Sequence, residues 1–161
     1  MRPGPFLAPE CRDHPIQVID GRDLGDFTVL ATERSLSGAY HVAGPTPPVS
    51  FGEFIRQGVA AGGGVAQPQW VNCDLLVEKG VEPWTEIPLV SSFTGEFSPL
   101  GTVDNSKAVG AGLGLRQVST TIADTIEWWK SERSGTEPRW GLSDERERQI
   151  LSSVNAAAPS P

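Results

Sequence analysis

With 161 residues, 38% of them hydrophobic and 20% charged, the chain has the length and balance of one globular domain with a real core. A formal net charge of -7 without a basic stripe argues against a nucleic-acid backbone as partner. No apolar run approaches the roughly 20 residues that a membrane-spanning helix needs.

The 18 glycines and 14 prolines predict short elements and many connections. The opening "MRPGPFLAPE" is too short and too proline-broken for a secretory leader, so a cytoplasmic location is the default expectation. Two cysteines, Cys11 and Cys73, are no disulfide framework. Cys11 and His14 have a C-x-x-H spacing, but His41 and Cys73 add no second ligand-like pair, so no metal site is expected.

In chain order, residues 1–14 read as an irregular segment broken by Pro3, Pro5 and Pro9. Ile16 to Ile19 is a short apolar run suited to a buried strand. Asp23 is the predicted N-cap of a helix in which Leu24, Phe27, Thr28 and Ala31 recur at helical spacing, closed by "SLSG". Ala39 to Ala43 reads as a second strand. Ser50-x-x-Glu53 is a capping box ahead of Phe51, Phe54, Ile55 and Val59, and that helix stops in Gly62 to Gly64. Gln69 to Val71 is a third candidate strand, and Asn72 a cap for a brief helix ending at Gly80.

In "VEPWTEIPLV" Pro83 and Pro88 forbid a regular helix, leaving an apolar, aromatic loop. Asp104 is placed to cap a helix running through Lys107 and Ala108 to the glycines at Gly110 and Gly112. Ser119 opens a longer one with Ile122, Ile126 and Trp129 on one face. Ser143 begins a last helix with Asp144 and Glu145 in its first turn, and residues 155–161 read as a disordered tail. Strands alternating with helices point to an α/β fold, α+β-like if the few short strands stand alone.

Few chemical motifs survive inspection. "GAGLGL", Gly110 to Leu115, has the wrong spacing for a dinucleotide loop and follows a helix rather than a strand, so it reads as a helix end and turn. No nucleophile elbow stands beside His14 or His41. Asp20, Arg22 and Asp23 gather where a strand gives way to a helix, a place where open α/β folds bind ligands; a cap and a local ion pair are the simpler reading.

"VDNSKAVGAGLGLRQVSTTIADTIEWW", Val103 to Trp129, resembles the C-terminal signature of extended short-chain dehydrogenase/reductases, the NAD-dependent epimerase/dehydratase family. The matching positions are Asp104, Lys107, Ala108, Leu113, Gly114, Thr121, Thr125, Ile126 and Trp128. "QVIDGRDL", "GAYHVAGP", "GVEPWTEIPLV" and "GLSDERERQIL" resemble further segments of that family in the same order, so the likeness extends over residues 15–153. Gln117, His41 and Val90 depart from the family's usual Pro, Asn and Trp.

The resemblance implies the substrate-side portion of a Rossmann-type fold over residues 15–154, with NAD or NADP as the family's cofactor. It also implies redox chemistry on a hydroxyl or carbonyl of a small molecule, with nucleotide sugars among the candidate substrates. This chain carries neither the glycine-rich loop nor the Tyr-x-x-x-Lys pair, for Tyr40 is its one tyrosine and Gly44 stands four residues on. Without that acid/base pair no catalytic residue and no cofactor-binding residue is assigned.

The expectation is a substrate-binding part that is inactive as this chain alone, paired with a separate Rossmann half or self-associated. The alternative is a non-catalytic small-molecule-binding or protein-interaction module derived from the family. Trp84, Glu86 and Arg116, with Asp20 and Arg22 behind them, are the candidate substrate contacts: a loop between prolines offers a stacking ring and an acceptor on a rigid frame.

Overall fold

The computed structural model describes residues 3–93, 101–133, 135–136 and 140–157. In chain order the elements are β1 (Gly4–Pro9), β2 (Pro15–Ile16), α1 (Gly21–Glu33), β3 (Val49–Ser50), α2 (Phe51–Ala61) and β4 (Ala66–Val71). After them come α3 (Cys73–Glu78), α4 (Ser106–Gly110), α5 (Val118–Glu132) and α6 (Asp144–Ala157). The fold is mixed α/β, and no helix among the described residues is long and apolar enough to cross a membrane.

β1 and β4 pair in parallel from Gly4 opposite Ala66 to Pro9 opposite Val71, while β2 and β3 form a two-residue antiparallel pair. The N-terminal segment is therefore not irregular, and its prolines show why a strand is possible there. Gly4 N–H donates to Val65 O at 3.1 Å and Glu10 N–H to Val71 O at 2.8 Å, so the even residues of β1 face the ladder. Pro5 and Pro9 fall on the outward parity, where a missing N–H costs nothing, and Leu7 N–H, also outward, donates to Glu147 Oε1 of α6 at 2.8 Å. The same alternation turns Pro68 of β4 outward. Prolines thus blunt both edges of the small sheet.

The main core gathers Leu7, Ile16, Phe51, Val71, Leu76, Ile150 and Leu151 with Val81, Ile87 and Val90 of the loop after α3. Leu76 and Val90 are 0% exposed, and a Leu buried this fully contributes about 2 kcal/mol. A second cluster joins Phe27 of α1 to Ala108 and Leu113, with Tyr40 edge-on to Phe27 at 5.8 Å. α2 packs on α5, where Val118 and Ile122 are buried.

Several caps are as the sequence predicts. Ser50 Oγ accepts Glu53 N–H at 3.2 Å, and Asn72 Oδ1 accepts Asp74 N–H at 2.8 Å. At α4 the N-cap position is Asn105 rather than Asp104; Asp104, one residue earlier, accepts Ser106 N–H on Oδ1 at 2.9 Å, which holds its carboxyl below the usual range. The cap of α1 is Asp20 rather than Asp23, because the helix starts at Gly21 and Asp20 Oδ1 accepts Arg22 N–H at 2.9 Å. The inward stripe of α1 is Asp23, Phe27 and Leu30, leaving Leu24 exposed. α6 runs on to Ala157, so a helix occupies the first part of the segment read as a tail; residues 158–161 lie outside the described residues.

Two expected strands are absent or shortened for an identifiable reason. Residues 39–43 form no strand, because side chains take the carbonyls a neighbouring strand would have used: Lys107 Nζ donates to Ala39 O at 2.7 Å, and Asn105 Nδ2 to Ala43 O at 3.1 Å. Of the run Ile16 to Ile19 only Ile16 joins a ladder, since Gln17 pairs its side-chain amide with Val103, accepting from N–H at 2.7 Å and donating to O at 2.8 Å. Lys107 and its neighbour Asn105 therefore bind one segment of chain to another.

Candidate functional site

The five residues proposed as substrate contacts fall in two separate places. Asp20, Arg22 and Arg116 stand at the junction where α1 begins beside the start of α5. Asp20 accepts from Arg22 Nε at 2.8 Å and Nη2 at 2.7 Å and from the Thr121 hydroxyl at 2.8 Å, which holds its carboxyl well below the usual range. Arg22 also pairs with Asp124 at 2.7 Å, and its two carboxylates raise its pKa further.

Arg116 forms a close ion pair with Asp23, donates its backbone N–H to Asp23 Oδ2 at 2.8 Å, and approaches Asp26 at 3.6 Å. Each arginine is thus shared between two carboxylates. A diphosphate would have to displace those carboxylates and meet their repulsion, so this junction is built for structure rather than for an anionic ligand.

Trp84 and Glu86 lie in the loop after α3. Glu86 is fully used inside the protein: Oε2 accepts Glu82 N–H at 2.9 Å and Oε1 pairs with Arg146 Nε at 2.7 Å. Arg146 also donates to Lys79 O at 3.3 Å and Gly80 O at 2.9 Å, so the pair clamps α6 to the end of α3 and to the loop.

Trp84 is different, being 59% exposed and so no seal for the core, a part Val90 plays. Its φ of 66° and the 71° of Leu89 are left-handed values that non-glycine residues adopt only when their surroundings impose them. Trp84 N–H donates to Ile87 O at 3.1 Å and Val90 O at 2.8 Å, and that turn holds the ring outward.

Trp84 and Leu89 are on the rim of a small cleft whose other wall is His14 to Gln17, with Ser91 and Gly101 beside them. The Ser91 hydroxyl is buried and has no hydrogen-bond partner among the described residues, leaving a donor and acceptor for a group that enters. At about 60 Å³ the cleft admits a functional group rather than a whole sugar nucleotide. His14 and Ser91 were not legible as partners in a site: Ser91 lies in no motif, the C-x-x-H spacing of His14 points to Cys11 rather than to Ser91, and only the return of the chain at 84–91 brings them together.

Burial pushes the His14 imidazole below its ordinary value of 6.5. The unfolded chain therefore binds the proton more readily, and stability is lost as pH falls below about 6.5. The unfolding midpoint is expected to drop by a few degrees between pH 7.5 and pH 5.5, with about half that drop or less in His14→Gln. Equal drops in the two proteins would refute it.

Among the described residues neither the glycine turn nor the tyrosine is arranged to hold a dinucleotide. Gly112, with φ 111°, makes the turn that ends α4, as the glycine spacing suggests, and does not open a helix toward a phosphate. Tyr40 does meet a lysine, but Lys107 Nζ lies over the ring at 4.1 Å and is spent on Ala39 O. Comparison with protein-family models, with curated proteins and with solved structures gave no match.

Proposed function

We propose that this chain is the small-molecule-binding, substrate-side part of an NAD(P)-dependent epimerase, dehydratase or reductase-like protein, and that it carries out no redox step by itself. The observation that carries the reading is the cleft between His14–Gln17 and the 84–91 loop. There two non-glycine residues are held at positive φ, one of them presenting an exposed tryptophan ring beside a buried hydroxyl that has no hydrogen-bond partner among the described residues. Strain of that kind persists where surrounding structure over-determines it, and it gathers at binding sites. The collinear sequence resemblance supplies the reaction class, and the arginines' prior engagement favours an uncharged polyol or hydroxycarbonyl group over a diphosphate.

The alternative, a non-catalytic interaction module derived from the same family, is favoured by one further observation. Asp20, Arg22, Glu86 and Arg116 are all committed to internal pairs, so little beyond Trp84 faces a ligand.

Ligand-observed saturation-transfer NMR with neutral polyols and hydroxyketones, set against their nucleotide-linked forms, tests both readings. Signals from neutral members that vanish in Trp84→Ala are expected, together with no saturable quenching of tryptophan fluorescence by NADH or NADPH. Micromolar quenching by either cofactor would overturn the first reading, and silence from every small molecule would favour the interaction module.

A further inference from the structure

Cys11 and Cys73 take no part in the cleft. Each lies two residues beyond Pro9 opposite Val71, the last pair of the parallel ladder, so two strands running side by side deliver them to the same end of the sheet. The backbone fixes both positions. Cys11 N–H donates to Pro9 O at 2.7 Å and Cys11 O accepts His14 N–H at 3.0 Å, while Asn72 caps α3 immediately before Cys73. Both thiols are free and half-buried. They line a shallow depression shared with Asp13, Asp74 and Phe93. Among the described residues no group of three or more metal-ligating side chains forms around them.

We propose that Cys11 and Cys73 form a dithiol site that a low-molecular-weight disulfide oxidises to an intramolecular Cys11–Cys73 disulfide. In the first step one of the two thiolates attacks a sulfur of the small disulfide, breaking its S–S bond and releasing one thiolate. The other protein thiolate then attacks the protein sulfur of the mixed disulfide and expels the second small thiolate. Two protein thiols lose two protons and two electrons, and the small disulfide is reduced to two thiols.

Burial pushes the Cys11 thiol up to about 12 and raises that of Cys73 as well. Only the thiolates react, so the exchange quickens as pH rises. The product would close a loop of about 60 residues, which constrains the unfolded chain. It would also lock the turn that carries His14 into the cleft.

The test treats the full chain with millimolar oxidised glutathione at mildly alkaline pH. The expected result is loss of both free thiols, an intact mass lower by two hydrogens, no covalent dimer, and an unfolding midpoint raised by about 10 °C that a reductant reverses. Cys11→Ser, which removes one of the two thiols, should stop at a stable glutathione adduct on Cys73. Independent glutathione adducts on both cysteines, intermolecular dimers, or thiols that react only after unfolding in urea would each overturn the proposal, as would an unreactive Cys73 in Cys11→Ser.

Discussion

Gly44→Ala is expected to abolish cooperative folding, at a cost above about 4 kcal/mol in a domain whose whole stability is of order 5–15 kcal/mol. A Cβ at position 44 would overlap Val18 O and stand 2.8 Å from Val18 C and 2.9 Å from Val18 N, all backbone atoms. Neither partner can withdraw cheaply. Gly44 O accepts Asn105 Nδ2 at 2.6 Å, and Val18 is held between the Gln17–Val103 amide pair and the Asp20 cap. Space is what this glycine provides, since its φ is not among the positive ones. Gly25→Ala is the control: its Cβ would meet nothing within 4 Å on α1, and stability should rise by about 0.5–1 kcal/mol. Urea unfolding followed by circular dichroism decides it, and a wild-type transition in Gly44→Ala would refute the close approach.

Local signals in the sequence were legible, and long-range ones were not. Ser50 and Asn72 mark helix starts because a cap needs only the next three residues, and Gly112 marks an end for a similar reason. β1 was hidden because prolines normally forbid strands; only its partner β4 and Glu147 of α6 reveal that Pro5 and Pro9 fall on the harmless parity. Residues 39–43 read as a strand because apolar alternation says nothing about what will meet the carbonyls, which here are Lys107 and Asn105. The sequence singled out Trp84, but the cleft beside it depends on His14 and Ser91, residues 77 apart. An inward aspartate on α1, four residues before Phe27, was the one available hint that Arg116 would be drawn into a pair across the fold.

That pair sets the remaining large effect. Asp23 is 4% exposed and its carboxylate meets both the backbone N–H and the guanidinium of Arg116. Asp23→Ala leaves a cation and an N–H without their acceptor, and is expected to cost about 3 kcal/mol. The one-third exposure of Arg116 holds the figure at the lower end for a buried pair. Asp23→Asn keeps an acceptor for the N–H and should cost about half as much. Arg116→Met leaves the carboxylate its backbone N–H but no countercharge and should cost somewhat less than Asp23→Ala, whereas Asp23→Leu combined with Arg116→Met should cost less than the sum of the two single changes, because neither charge is left buried alone. The series separates two roles for Arg116 that sequence alone confounds. A substrate-binding guanidinium could be removed with a change in stability below about 0.5 kcal/mol and a loss of ligand signal in the NMR titration. A strut between α1 and α5 shows the reverse in urea unfolding, with the non-additive double variant as its signature.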